Sequence, residues 1–505
     1  MLEIQNNGPV YLGASKPGEG DGGGGADSDM SNVYGTSFSA ASASGTRLYA
    51  SVGKSFTPST DTTAGTDDFA NTPVFKGYYM LVKYNSTSGK AEPIAYEGTP
   101  EYTSIKAAGT EDYDEVYMYP KFYYKHTVDT DGSSETLLSP TPKTGFKPSP
   151  MHYRWDAAQS KYVMHDYIGV TRFGWGYASG SVSDMAARRG LYPLTNITRD
   201  SFETKARARG MRVFGMKELA ALQMLGDVKY AHKNWQTAVS KGYCSAYPNF
   251  LLREDTSETQ TAVIDYTAEN ALLFAPGRYC SFSDNQAYNQ VRKITEIDTE
   301  YDTTNNYMKI AFEGAAAPTI TVGTTKLYPG LCPSGLTEGV KGMDGKAASL
   351  STNDQRYPSV YLGIENLFGN QWKFLTDTMR MDGTSVSYYN RSSDSSKDWP
   401  TSSDLKDWKP GPTILTTEGY IKRMTPTAGL SALDYLSIPA ELGGTDANPI
   451  GDYQYGNAAN ERKCCLMGGS LGSGLRCGPF FLDWTGALSF TGWGIGALGV
   501  FVPEE

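Results

Sequence analysis

Three kinds of side chain in this sequence could do chemistry: six cysteines, four histidines, and a few closely spaced carboxylates and guanidinium groups. The cysteines are Cys244, Cys280, Cys332, Cys464, Cys465 and Cys477. A thiol acts as nucleophile or soft-metal ligand only as the thiolate, which a nearby cation favours. Arg476 directly precedes Cys477 and supplies such a cation, but no second cysteine lies within a few residues of it. Cys464 and Cys465 are adjacent, and no CxxC pair occurs. These spacings predict free thiols in a chain made in a reducing compartment, not a disulfide framework. His126, His152, His165 and His232 form no HxH or HxxxH pair, so no zinc site is expected. Glu365 and Asp377 flank Trp372. Two carboxylates can cleave a glycosidic bond only if they face each other; hydrogen bonding in a turn and at a helix cap is the simpler expectation. Arg207 and Arg209, in KARARG, read as a structural turn before a helix. No GxSxG, P-loop or HExxH occurs. The expectation is therefore no enzyme, no catalytic residue, no metal and no cofactor.

The elements that must hold these residues are mostly strands and loops. The chain has 505 residues, which at about 150 per domain gives roughly three domains. Tyr (35) and Gly (55) are in excess, which suits β-rich, loop-rich folds that present binding surfaces. The net charge of −10 disfavours nucleic acid and anionic membranes. The opening residues, Met1 to Gly8, lack the pattern of a signal peptide, and no run of 18 apolar residues predicts membrane insertion. Residues 1–72 read as a low-complexity attachment or linker arm, with GEGDGGGG at Gly18 to Gly25. Residues 73–150 read as a small β-rich domain, with strands at Tyr78 to Tyr84 and Val116 to His126. Further strands are expected at Tyr167 to Val170, Tyr307 to Phe312 and Thr319 to Val322, the last two in a β-hairpin insertion near 271–326. Met216, Leu219, Leu222, Leu225 and Val228 predict one amphipathic helix lying on a core.

Two stretches carry the functional reading. The first runs from Tyr361 through Gly369-Asn370-Gln371-Trp372-Lys373-Phe374 to Asp377. The second runs from Gly468-Gly469-Ser470-Leu471 through Cys477, Trp484 and Trp493 to Phe501. They resemble the GxxGNxWEW and GGSW…IGAR signatures of the formylglycine-generating-enzyme-type C-type-lectin fold. Within it they most resemble the variable proteins of diversity-generating retroelements, the group that includes the phage major tropism determinant. The part from MYPKFYYK through the helix to GNAANERKCC is also similar to phage and prophage tail proteins of gut bacteria. The departures are Leu471 for Trp in GGSW, Lys373-Phe374 for the last two letters of WEW, and Leu498 for the Arg of IGAR.

The resemblance implies an α+β class: a C-terminal C-type-lectin-like domain over 151–505, preceded by the β-rich domain and the arm. It implies a receptor-binding protein at a phage tail tip, homotrimeric, made in the host cytoplasm and carried in the virion. Its partners would be a bacterial surface protein or glycan and other tail proteins. The alternative is a structural tail or baseplate protein whose C-terminal face packs on another virion subunit. Glycines at 468, 469, 478 and 496 fit tight turns or close strand contacts, and Phe480, Leu482, Trp484 and Ile495 are expected core anchors. Between them lie Gly472, Ser473, Leu475, Arg476, Asp483, Thr485, Ala487, Phe490, Thr491, Gly492, Trp493 and Gly494. In the resembled family many of these slots vary and point outward, so they are the expected ligand-binding positions. Trp493 fits either an exposed anchor or a core site.

Overall fold

Short apolar runs broken by glycine, proline and polar turns fold here as strands. A computed structural model describes residues 29–109, 112–156, 159, 161–180, 184–245, 248–347, 355–382, 385–389, 408–430 and 433–503. Strand makes up 37% of the chain and helix 11%. The expected α+β class, with its lectin-like C-terminal domain, is thereby corrected to a β-rich fold of several sheets. One strongly periodic helix had stood out in the sequence, while most short strands carry too few residues to show a period.

The central element is a six-stranded antiparallel sheet. Its order is Arg212–Val213, Gly499–Phe501, Tyr167–Thr171, Asp114–Pro120, Tyr78–Asn85 and Lys90–Tyr96. Side chains alternate across a strand, and here both faces are buried. Tyr79, Leu81, Tyr117, Tyr119, Ile168, Val170 and Val500 point into one core. Met80, Val82, Val116, Met118, Val213 and Phe501 point into the other. The sheet thus divides two hydrophobic cores. The boundary expected near residue 150 falls inside its connectivity, because Asp114–Pro120 pairs with Tyr167–Thr171. The single strand expected over Val116 to His126 is two strands. Asp114–Pro120 joins the central sheet, and Tyr123–Val128 joins a five-stranded sheet with Ser134–Ser139, Tyr34–Phe38, Gly45–Tyr49 and Lys147–Pro148.

The helix Met216–Tyr230 is where expected but is not amphipathic: every residue except Lys217 is buried. Its buried charged and amide side chains are each paired. Glu218 meets Arg154, Gln223 donates to the Pro479 carbonyl at 2.8 Å, Asp227 meets Lys233 at 3.2 Å, and Lys229 meets Asp344 and Asp67 at 2.6 and 2.7 Å. Arg47 donates to the Val228 and Lys229 carbonyls at 2.8 and 2.9 Å, which places a cation at the helix C-terminus. Arg47 lies within the expected 1–72 arm. Of that arm, Met1 to Gly8 and Gly18 to Gly25 lie outside the described residues. Residues 29–72 contribute strands and buried Val33, Tyr34, Phe38 and Phe69, because their aromatic residues join the core around the helix.

Residues 250–329 form a six-stranded sheet around the hairpin Arg292–Asp302 and Tyr307–Glu313. Thr319 to Val322 is irregular chain, and the strand following the hairpin is Lys326–Pro329. A nine-stranded sheet carries the C-terminal third, with Trp372–Arg380, Lys463–Gly468, Gly478–Asp483, Tyr453–Tyr455 and Gly419–Met424 as successive neighbours. Ile495–Gly496 runs parallel to the start of Trp372–Arg380.

Candidate functional site: an aromatic ridge around Arg476

The sheet positions the C-terminal residues through its glycines and apolar anchors. Gly468 and Gly469 take φ of 90° and 80°, a turn that L side chains resist. Gly478 and Gly496 pack closely instead; an added Cβ would stand 2.1 Å from Asp452 Oδ1 and 2.5 Å from Gln371 Oε1. Phe480, Leu482, Trp484 and Ile495 are all buried. Leu471 and Leu498, two of the departures from the resembled pattern, are buried apolar positions. Lys373, the third, is buried with its Nζ donating to the Gly369 and Gln371 carbonyls, both at 2.7 Å. Burial pushes its pKa down to about 7.

The twelve expected display positions do not form one face. Ser473 and Asp483 are buried. Ser473 Oγ accepts from the Ser470 N–H at 3.0 Å, and Asp483 Oδ1 accepts from the Thr485 N–H and hydroxyl at 2.7 and 2.6 Å, so both, with Thr485, shape turns. The strand Lys463–Gly468 separates the others. Ala487 and Phe490 lie at its Lys463 end, where the Cys464 N–H donates to the Gly486 carbonyl at 2.9 Å. Thr491 is exposed beside Phe490, which is 41% exposed. Gly472, Leu475 and Arg476 lie near the Gly468 end. Gly492 and Gly494 hydrogen-bond there through their carbonyls, to the N–H groups of Asn196 (3.1 Å) and Trp372 (2.8 Å). Trp493 is half-buried and packs on the second core.

At the Gly468 end the fold assembles a ridge that the sequence reading missed. Tyr453 and Tyr455 emerge on one side of their strand while Gln454 is buried on the other. Tyr420 pairs in register with Tyr453, its ring centroid 5.1 Å away. Tyr455 packs on Phe481 at 5.3 Å, and Phe481 on Trp372 at 4.5 Å. Tyr420, Tyr453, Tyr455 and Trp372 are half-buried. The guanidinium of Arg476 sits 5.5 and 5.6 Å from the Tyr453 and Tyr455 ring centroids. Its Nη1 donates to the Tyr455 hydroxyl at 2.5 Å and its Nε to the Ser473 carbonyl at 3.1 Å. Among the described residues Nη2 takes no protein partner. The arrangement presents aromatic faces and a fixed, partly available donor fork, and it has little freedom left to lose on binding. The alternation Tyr-Gln-Tyr was the one legible signal for it.

The residues considered for catalysis are held differently. Asp377 accepts from the Met216 and Lys217 N–H groups at 2.5 and 3.3 Å, capping the long helix. Glu365 accepts from the Gly335 and Thr337 N–H groups and the Thr337 hydroxyl at 3.0, 2.8 and 2.6 Å. Arg209 meets Asp114 at 2.7 Å. All six cysteines are buried. Cys244, far upstream, lies beside Cys477, and burial pushes the Cys244 thiol well up. Cys464 is pushed up to about 12 by burial. His126 and His152 are buried, and desolvation pushes both down to about 3. Among the described residues no three His, Cys, Asp or Glu side chains gather around one point, and no helix is long and apolar enough to cross a membrane.

No family model matches the chain, and no curated protein matches it. Among solved structures the chain is similar to the Major Tropism Determinant U1 Variant, at 10% identity and a TM-score of 0.23. The match covers 84% of this chain and 72% of that one. A likeness this loose carries no argument, and the site stands on its own geometry.

Proposed function

We propose that this chain is a receptor-binding protein of a phage or prophage tail tip and that the Arg476 ridge is its contact surface. The observation that carries the binding role is Arg476 clasped by Tyr453 and Tyr455 on a rigid sheet. Tyr, Trp and Arg are the residues in which interface energy concentrates: Tyr and Trp bury much area at little entropic cost, and Arg offers a planar donor fork. The phage setting rests on the resemblance of the Gly468 to Val500 stretch to retroelement variable proteins. A homotrimer and a place in the virion belong to the same proposal, and several copies per particle would let modest single-site affinity hold a cell. Binding without catalysis is part of it: Asp377 and Glu365 are committed to a helix cap and a turn, and the thiols of Cys244 and Cys464 are buried and hard to ionise.

The test is binding of labelled full-length chain to a panel of gut bacteria. The chain is expected to bind a subset of strains. Arg476→Ala with Tyr455→Ala should weaken that binding by about thirtyfold, corresponding to roughly 2 kcal/mol, with an unchanged urea midpoint. Equal binding by the variant would refute the ridge. Loss of virion incorporation with unchanged cell binding would favour packing on another virion subunit.

A further inference from the structure

A second site lies far from the ridge in the chain, where the helix Pro100–Ala108 faces residues 338–343. Between them is an open groove of about 720 Å³. Its floor is built around Glu115, which is fully buried and held by Lys106 at 2.9 Å, Arg172 at 2.7 Å and the Tyr102 hydroxyl at 2.7 Å. Burial opposes ionisation of Glu115, but Arg172 and Lys106 outweigh it and hold the carboxyl below its ordinary range. The floor is therefore a fixed, charge-paired platform. At the rim Glu338 bridges Lys106 at 2.5 Å and Arg189 at 3.4 Å. The second contact is long, and Arg189 is 38% exposed, so the guanidinium can exchange its partner. Lys341 is exposed in the same groove and has no ion pair among the described residues. Four cations thus meet three carboxylates, Glu97, Glu115 and Glu338, on a chain whose net charge is −10.

The chemistry of the lining selects a ligand class. Arg189 and Lys341 call for an oxyanion. A bare anion would also face Glu97 and Glu338, so the ligand must bring hydroxyl donors for those carboxylates. Exposed Thr103 adds a further hydrogen-bonding hydroxyl at the wall. At about 720 Å³ the groove lies within the roughly 300–1,000 Å³ of ligand pockets, room for more than one sugar ring. We propose that this groove binds an anionic saccharide, its carboxylate or phosphate on Arg189 and Lys341 and its hydroxyls on Glu97, Glu338 and Thr103.

The experiment is isothermal titration of the full chain with trigalacturonate, glucose 6-phosphate, maltotriose and inorganic phosphate. Trigalacturonate or glucose 6-phosphate is expected to bind, and which of them does identifies the oxyanion. Lys341→Ala and Arg189→Ala should each weaken that binding by about tenfold. Lys341 holds no ion pair, so its loss tests the site without disturbing the fold. The proposal is overturned if neither anionic sugar binds at millimolar concentration, if maltotriose or inorganic phosphate binds as well, or if Lys341→Ala binds unchanged. Tyr455→Ala should leave this binding intact, so the groove and the ridge can fail separately.

Discussion

Asp452 lies one residue before Tyr453, beneath the ridge, and is fully buried. Its Oδ2 accepts from the Phe480 N–H at 2.7 Å, while its Oδ1 has no hydrogen-bond partner. The backbone of Gly478 walls in that oxygen, and no cation offsets the charge among the described residues. Burial therefore pushes the carboxyl well above the ordinary carboxylate range. An acid whose folded pKa exceeds its unfolded one binds more protons in the native state, so its contribution to stability is lost as pH rises. The loss begins near the unfolded aspartate value of about 3.9 and continues up to the folded pKa, at about 1.4 kcal/mol per pH unit. Asp452→Asn keeps the shape and stays neutral throughout. Across two pH units inside that window the variant should gain about 2.7 kcal/mol on the wild type. Urea unfolding of both proteins, from about pH 4 to pH 7 in half-unit steps, measures the difference. A difference that stays flat with pH would refute the reasoning. A wild-type advantage that grows with pH would mean that the carboxylate is the favoured form.

Three further outcomes are expected. Gly226→Ala replaces a poor helix former by a good one inside the long helix, yet the new Cβ would stand 1.8 Å from Trp235 Cζ2. It should destabilise by about 1–3 kcal/mol in urea unfolding, and a gain would show that Trp235 moves freely. Asp377→Ala removes the cap of the long helix and should cost about 0.5–2 kcal/mol; an unchanged urea midpoint would show that the cap is idle. Arg47→Met removes two hydrogen bonds to the helix C-terminus and should cost about 1–3 kcal/mol, with the N-terminal residues becoming more sensitive to protease; equal sensitivity would remove Arg47 as their anchor.

The local signals were strongest where a period repeats long enough to be counted. The helix Met216–Tyr230, the strands Tyr78–Asn85 and Tyr167–Thr171, and the hairpin strand Tyr307–Glu313 were legible for that reason. Their environment was not. The helix looked amphipathic because Lys217, Glu218 and Asp227 are charged and lie off its apolar face, and only partners such as Arg154 for Glu218 and Lys233 for Asp227 allow the buried charges to be held. The break between Asp114–Pro120 and Tyr123–Val128 was hidden because both halves are aromatic-rich.

For the site, the sequence by itself determined the turn glycines Gly468 and Gly469, the buried anchors Phe480, Leu482, Trp484 and Ile495, and the spacing of the residues between them. Those follow from residue type alone: glycine where φ is positive, large apolar side chains where water is excluded. The tertiary structure decided which intervening residues face outward. It buried Ser473 and Asp483, set Phe490 and Arg476 at opposite ends of a strand, and brought Tyr420, Tyr453 and Trp372 to Arg476. Strand order is fixed by pairing between segments far apart in the chain, and no local pattern of residues encodes it.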